Sequence, residues 1–211
     1  MKISDSRLTP TFELESVELA LGGGPIVGID EAGRGPWAGP VVAAAVILDP
    51  ERIPVGIADS KQLDADQREA LFHRIKLTAP AVGIAIADPE RIDRDNILNA
   101  TLWAMVQAVN QLQLRPRLAL VDGNKLPRLP FPARAIVKGD AKCLSIAAAS
   151  IMAKVTRDRI MIELARSWPG YGFERHKGYG TPEHKDAISR LGVTPIHRRS
   201  FKPVQLALSI V

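Results

Sequence analysis

The chain has 211 residues, 46% hydrophobic and 24% charged, with 28 Lys plus Arg against 23 Asp plus Glu and a formal net charge of +5. This size and balance predict one domain with a full core, and they exclude wholesale disorder, low-complexity and collagen-like structure. Cys143 stands alone, so no disulfide forms within the chain; the longest nearly apolar run, 38–48, is short of the roughly 18 residues of a membrane span, and residues 1–7 lack a signal peptide's apolar core, which together predict a soluble protein of the reducing cytoplasm.

Gly22-Gly23-Gly24-Pro25 separates a short acidic N-terminal segment, 1–24, from a core that begins near Pro25. Residues 25–31 and 40–48 are short apolar runs rich in Val and Ile around a Gly/Pro-rich turn, and they predict two adjacent strands joined as a hairpin. Asp64-Ala65-Asp66-Gln67 is a capping-box start for a helix over 64–78, and 81–87 follows as a strand. The spacing of Leu98, Leu102, Met105, Val106, Val109 and Leu112 predicts a second helix over 96–114, stopped by Arg115-Pro116. Residues 118–121 and 133–137 are strand candidates, and Leu144, Ala148, Ile151, Val155 and Ile162 mark the apolar face of a helix over 142–165. The tail, 166–211, has short helical stretches at 182–191 and 203–208. The alternation predicts an α/β layer structure: a core over 25–165 with a mixed sheet of about five strands, and a basic C-terminal extension packed on it.

Charge is segregated. Residues 1–165 carry 20 basic and 20 acidic side chains, whereas 166–211 carry 8 and 3; a second basic stretch, 115–142, has seven Lys or Arg against Asp122 and Asp140. A basic face beside an acidic site suits a polyanionic partner, although charge alone leaves nucleic-acid binding undecided.

Asp30, Glu31, Asp122 and Asp140 all sit at strand ends or strand-to-helix turns. Side chains alternate across a strand, so Asp30 and Glu31 face one way only if the backbone bends at Glu31, and Gly33 makes such a bend feasible. Clustered carboxylates without Cys or His partners suit a hard cation, Mg²⁺ or Mn²⁺; His176, His184 and His197 match no zinc pattern. Two such ions about 4 Å apart suit phosphodiester hydrolysis. Gly33-Arg34-Gly35-Pro36 is followed by Gly39, one place late for a dinucleotide fingerprint, and a strand follows it rather than a helix; it reads as a loop bringing bare backbone and one guanidinium to a sugar-phosphate chain.

These residues resemble the bacterial ribonuclease HII family, of the type 2 ribonuclease H group. The resemblance runs from Gly28-Ile29-Asp30-Glu31-Ala32-Gly33-Arg34-Gly35-Pro36 through Asp59-Ser60-Lys61, Val121-Asp122-Gly123-Asn124, Lys138-Gly139-Asp140-Ala141-Lys142, Ser145 to Asp158, Tyr171-Gly172-Phe173 with His176-Lys177-Gly178-Tyr179, to His197-Arg198-Arg199-Ser200-Phe201. It implies a ribonuclease H-like fold with a C-terminal helical extension. It also implies hydrolysis of the RNA strand of RNA–DNA hybrids and cutting 5′ of single ribonucleotides in duplex DNA, leaving 3′-hydroxyl and 5′-phosphate ends, as in removal of misincorporated ribonucleotides and RNA primers.

By position, the resemblance implies that Asp30, Glu31, Asp122 and Asp140 bind the catalytic metals. Gly33, Arg34 and Gly35 contact the ribose 2′-hydroxyl and its phosphate, Tyr179 packs on the following deoxyribose, and Ser60, Lys61 and Lys142 are phosphate contacts. One departure stands out: the family usually has proline after this tyrosine, where this chain has Gly180. The related HIII enzymes carry an additional N-terminal domain, for which some 24 residues before the core leave little room. The expected state is a monomer acting on RNA–DNA hybrid or ribonucleotide-containing duplex, with no membrane role. The amphipathic Gln205-Leu206-Ala207-Leu208 either packs on its own domain or docks on a partner such as a replication clamp. Two other readings are weaker: a binding module without turnover, against which the intact set of four carboxylates argues, and a DNA nuclease indifferent to the 2′-hydroxyl, against which the Gly33-Arg34-Gly35 loop speaks.

Overall fold

The computed structural model describes residues 9–209. The opening residues 1–7, on which the expectation of no signal peptide rests, lie outside the described residues. Five strands form one mixed sheet in the order β3-β2-β1-β4-β5: β1 (Ile26–Ala32), β2 (Val41–Ile47), β3 (Ala81–Ala87), β4 (Leu118–Asp122) and β5 (Ala133–Ile136). β1, β2 and β3 form an antiparallel meander, while β4 and β5 run parallel to β1. The central strand β1 is nearly continuous in its burial because helices cover both sheet faces.

On one face Val27, Ile29, Val41 and Ala43 meet Ala100, Ala104 and Ala108 of α3 (Pro89–Asn110). On the other, Val42, Ala44 and Val46 meet Ala148, Ile151 and Met152 of α4 (Leu144–Ser167), with Phe72 and Ile75 of α2 (Ala65–Thr78) beyond. Each large side chain sequestered here is worth about 1.5–3 kcal/mol of transfer free energy. The alanine run of α4 lets its backbone approach β1 so closely that a Cβ on Gly28 would lie 2.1 Å from the Ser145 carbonyl carbon. Substituting Gly28 therefore drives α4 off the sheet.

The expected capping box on α2 is present, Asp64 accepting from Gln67 N–H while Gln67 accepts from Asp64 N–H. α3 departs from expectation at both ends. It begins at Pro89, with Asp88 capping Arg91 N–H at 2.7 Å, and breaks at Asn96 (φ 63°), whose side-chain oxygen caps Leu98 and Asn99. It ends at Asn110, before the Arg115-Pro116 stop. The acidic N-terminal segment contains a helix that hydropathy did not reveal, α1 (Glu13–Ala20); its Glu15 is buried and accepts from Ser145 N–H and Oγ–H, capping the start of α4.

Residues beyond α4 form α5 (Phe173–His176), α6 (Pro182–Leu191) and α7 (Lys202–Leu208). They pack Tyr171, Phe173, Ala187 and Ile188 against Met161 of α4 and Ala38 of the β1–β2 loop. Ile162, placed on the apolar face of α4 by its spacing, is 38% exposed, and Met161 takes the inward position. In α7, Val204 is buried and Leu206 is exposed. Among the described residues no helix is long and apolar enough to cross a membrane.

Candidate active site

The parallel register of β1 and β4 pairs Ile29 with Val121, which brings Asp30 level with Asp122 at the ends of the two strands. Asp140 joins them from a 3-10 turn (Gly139–Ala141) between β5 and α4, and Gly139 N–H donates to Asp122 Oδ1 at 2.7 Å. The anticipated bend at Glu31 is absent: β1 stays paired through Ala32, and the chain turns only at Gly33 (φ 96°). Asp30 and Glu31 thus leave the strand on alternate sides, and both reach the cleft because it lies off the strand end rather than over one face. This cleft, about 340 Å³, is lined by Asp30, Glu31 and Asp122 together with Ser60, Lys61, Lys154 and Tyr179.

Burial and mutual repulsion raise the pKa values of Asp30, Glu31 and Asp122 above the ordinary carboxylate range. Desolvation, then Glu31 and Asp122, raise the pKa of Asp30 well above the usual range, against hydrogen bonds from Glu31 N–H (2.7 Å) and Ser150. Desolvation raises Glu31 as well, with the Arg34 guanidinium 3.5 Å away opposing it and Asp122 adding to it. Asp122 is raised by desolvation in the first place; the Gly139 hydrogen bond offsets this and Asp140 adds to it. The Lys61 ammonium lies 2.8 Å from Asp140 Oδ2 and 3.7 Å from Asp59. Burial lowers the lysine's pKa, but the bond to Asp140 and the surrounding carboxylates outweigh it and leave it raised.

Beside this acidic cleft the loop 33–40 is held by two buried guanidiniums. Arg157 of α4 donates to the Pro40 and Ala38 carbonyls at 2.9 and 3.2 Å. Arg198 donates to those of Arg34, Gly39 and Pro40 at 2.9, 2.9 and 3.1 Å, and also to Gly33. Burial, then repulsion from Arg157, lowers the Arg198 pKa to about 9, so it stays charged at neutral pH. Gly33 is obligatory: its φ is positive, and a Cβ there would lie 2.0 Å from Arg157 Nε. The Tyr179 ring lies over Gly35, 3.6 Å from where a Cβ would be, and is 46% exposed. Gly180 also has a steric cause, since a Cβ there would lie 2.1 Å from the Trp37 ring.

The structure places Asp30, Glu31, Asp122, Gly33, Lys61 and Tyr179 on the wall of one cleft, and Asp140, Arg34 and Gly35 beside it through contacts with Lys61, Glu31 and Tyr179. Ser60 lines it too, but its hydroxyl is shared with Ser150 Oγ at 2.9 Å; Lys142 is exposed and does not line it. Sequence reasoning passed over Ser150, Lys154, Arg157, Arg198 and Trp37. The first three carry a readable signal, polar side chains at helical spacing (150, 154, 157) that begin within the buried apolar part of α4.

The residues fit a hard divalent ion. The donors are carboxylate oxygens, their buried anions lack enough countercharge, and Lys61 supplies a cation at Asp140. Among the described residues no three His, Cys, Asp or Glu side chains stand close enough together, as they are placed, to hold a metal ion by themselves. An open, partial set is what an ion sharing its ligands with water and phosphate requires.

The pattern of the family described as Ribonuclease HII matches residues 27–204. A Ribonuclease HII of Azorhizobium caulinodans is 57% identical over 195 residues, covering 92% of this chain and 75% of its own. Among solved structures, the ribonuclease H2 of Pyrococcus horikoshii OT3 is 29% identical with a TM-score of 0.75, over 88% of this chain and 97% of that one. The ribonuclease HII in the PCNA:RNase HII complex of Archaeoglobus fulgidus is 27% identical with a TM-score of 0.70, over 87% and 96%.

Proposed function

Because the chain belongs to the ribonuclease HII family, metal-dependent ribonuclease H hydrolases acting on RNA–DNA hybrids, we propose that it also cuts 5′ of single ribonucleotides in duplex DNA and leaves 3′-hydroxyl and 5′-phosphate ends. The observation that carries this reading is the junction of the acidic cleft with the Gly33–Gly35 loop and the Tyr179 ring. A nuclease indifferent to sugar has no use for a bare backbone loop pinned beside its carboxylates. A single ribonucleotide offers one 2′-hydroxyl, and a loop without side chains at Gly33 and Gly35 admits that hydroxyl against backbone groups.

Asp30, Glu31, Asp122 and Asp140 are the proposed metal ligands. Two Mg²⁺ or Mn²⁺ ions held by them would supply Lewis acidity for activating water and for stabilising the departing 3′-oxygen. Arg34, half-exposed at the rim, pairs with Glu31 in the free protein and is free to swing to a phosphate. Lys61 is placed to exchange Asp140 for a phosphate oxygen once the carboxylate has another cation. Lys154 carries further positive charge at the cleft wall. Tyr179 packs on the deoxyribose that follows the ribonucleotide, so the loop and the ring together read the step from RNA to DNA. Cutting at misincorporated ribonucleotides and RNA primers in the cytoplasm, as a monomer, completes the proposal; docking on a replication clamp extends it, since the archaeal relative was solved with PCNA.

The test is a substrate panel: one embedded ribonucleotide, a run of four, a full hybrid and plain DNA, each with Mg²⁺, Mn²⁺ or EDTA. Cutting of the first three with either ion, none with EDTA and none of plain DNA is expected. Equal cutting of plain DNA sinks the proposal, and cutting confined to the long hybrids restricts the function to that substrate.

A further inference from the structure

Three of the chain's four histidines crowd together behind Tyr179, and none of them lines the cleft. Donor and acceptor accounting assigns the proton on two of these rings. Thr194 N–H donates to His197 Nδ1 at 3.0 Å, so that nitrogen is bare and Nε2 carries the hydrogen. His197 Nε2–H then donates to His184 Nε2, 3.0 Å away. His184 must keep its own hydrogen on Nδ1, which donates to the Tyr179 carbonyl oxygen at 2.9 Å. Both rings are buried, which favours the neutral forms this chain of bonds needs.

The relay is tied to the rest of the site at each end. His197 pairs with Ala38 across an isolated bridge, and its neighbour Arg198 holds the Gly33 and Arg34 carbonyls. Trp37 N–H donates to the Gly178 carbonyl at 2.8 Å, one residue before Tyr179. Adjacent residues of one segment therefore hold the two halves of the sugar-reading site, Arg198 the loop and His197 the tyrosine.

We propose that His197 and His184 are positioning residues: the bonds from Thr194 through His197 and His184 to the Tyr179 carbonyl set the Tyr179 ring against Gly35 and thereby set recognition of the RNA-to-DNA junction. This rests on the role assigned to Tyr179 above. Neither imidazole touches substrate, and a histidine filling core space alone would leave junction recognition unchanged when replaced by an apolar residue of similar size.

Two measurements on the full-length protein test it. Nitrogen-15 spectra of the histidines should show His184 as the Nδ1–H tautomer, His197 as the Nε2–H tautomer, and a coupling between their Nε2 atoms through the shared hydrogen. His184 with its hydrogen on Nε2 overturns the relay whatever Tyr179 does. Kinetics with a single embedded ribonucleotide and with a long hybrid form the second arm. His184→Leu should lower kcat/KM on the single ribonucleotide by about 10- to 100-fold, as ångström-scale misplacement does, and much less on the hybrid. His184→Asn, which keeps a donor where Nδ1 stood, should recover most of it. In a Tyr179→Ala background His184→Leu should add nothing, whereas multiplied losses overturn the positioning role. If Tyr179→Ala itself leaves both substrates unaffected while the tautomers are as assigned, the reading of Tyr179 fails, and the relay reduces to core packing.

Discussion

The acidic cleft and the loop cradle beside it are built on opposite electrostatic plans. In the cleft, Asp30, Glu31 and Asp122 are desolvated and repel one another, with the Lys61 ammonium held by Asp140 at the rim. In the cradle, the buried Arg198 charge is met by four backbone carbonyls and the buried Arg157 charge by two, so both guanidiniums are tied to the loop. The cleft is under-neutralised and gains stability from a bound cation. The cradle is already satisfied, and its value is rigidity. One region is arranged to bind and the other to hold still.

Neutralising the cleft breaks the comparison most severely. Asp122→Asn should reduce cutting of a single-ribonucleotide duplex by about a thousandfold or more while circular dichroism stays unchanged, because it removes one of the four proposed metal ligands. Activity within tenfold of the parent would remove Asp122 from the chemistry. The cradle should respond in stability instead. Arg198→Met orphans several buried carbonyls and is expected to lower unfolding free energy by about 3 kcal/mol in urea titrations. Arg198→Lys should rescue only part of this, since an ammonium cannot span the Gly33, Arg34, Gly39 and Pro40 oxygens.

A third outcome sharpens the contrast through pH. Folded Asp30 binds its proton more tightly than the unfolded chain does, so its contribution falls as pH rises above the ordinary carboxylate range. Asp30→Asn should therefore raise the Tm in EDTA at pH 7, by about 2–4 °C per kcal/mol relieved, with the gap closing toward pH 4. His184 and His197 act oppositely. Burial lowers both to about 4, so the unfolded chain takes up more protons below about pH 6.5. Their contribution is full above that pH and is lost as pH falls toward 4; in the Asp30→Asn background the Tm should drop across this window. The smallest effect belongs to Gly180→Ala, whose Cβ meets the Trp37 ring. It should weaken single-ribonucleotide cutting about fivefold or less, the size of a local shift, and Trp37→Leu should restore it; an unchanged Gly180→Ala enzyme would show that the ring yields freely.

Much of this was legible before any coordinates. The strands 81–87 and 118–121, the second one residue longer in the structure, the capping box at Asp64 and the four carboxylates at element ends follow from local rules of periodicity, capping and desolvation. Local patterns also explain the misses. α1 buries the charged Glu15, so its hydropathy reads as a solvated segment until the start of α4 appears as its partner. The expected bend at Glu31 assumed that both acids must share a face, whereas a cleft beyond the strand end accepts side chains from either. Gly180 stands where the resembled family usually has proline; in space it is the room that Trp37 fills, a contact across 143 residues that no local pattern encodes.

By itself the sequence determined the five strands, most of the helices, the acids and the segregation of charge, because helix and strand periods, turn residues and burial penalties act over a few residues at a time. Tertiary structure alone decided which distant groups share a proton or a carbonyl: Arg198 with the Gly33–Pro40 loop, Glu15 with α4, and His197 with His184 and Tyr179. A hydrogen bond discriminates over tenths of an ångström. The chain separations it bridges here are closed only when the sheet and its two helical layers have packed.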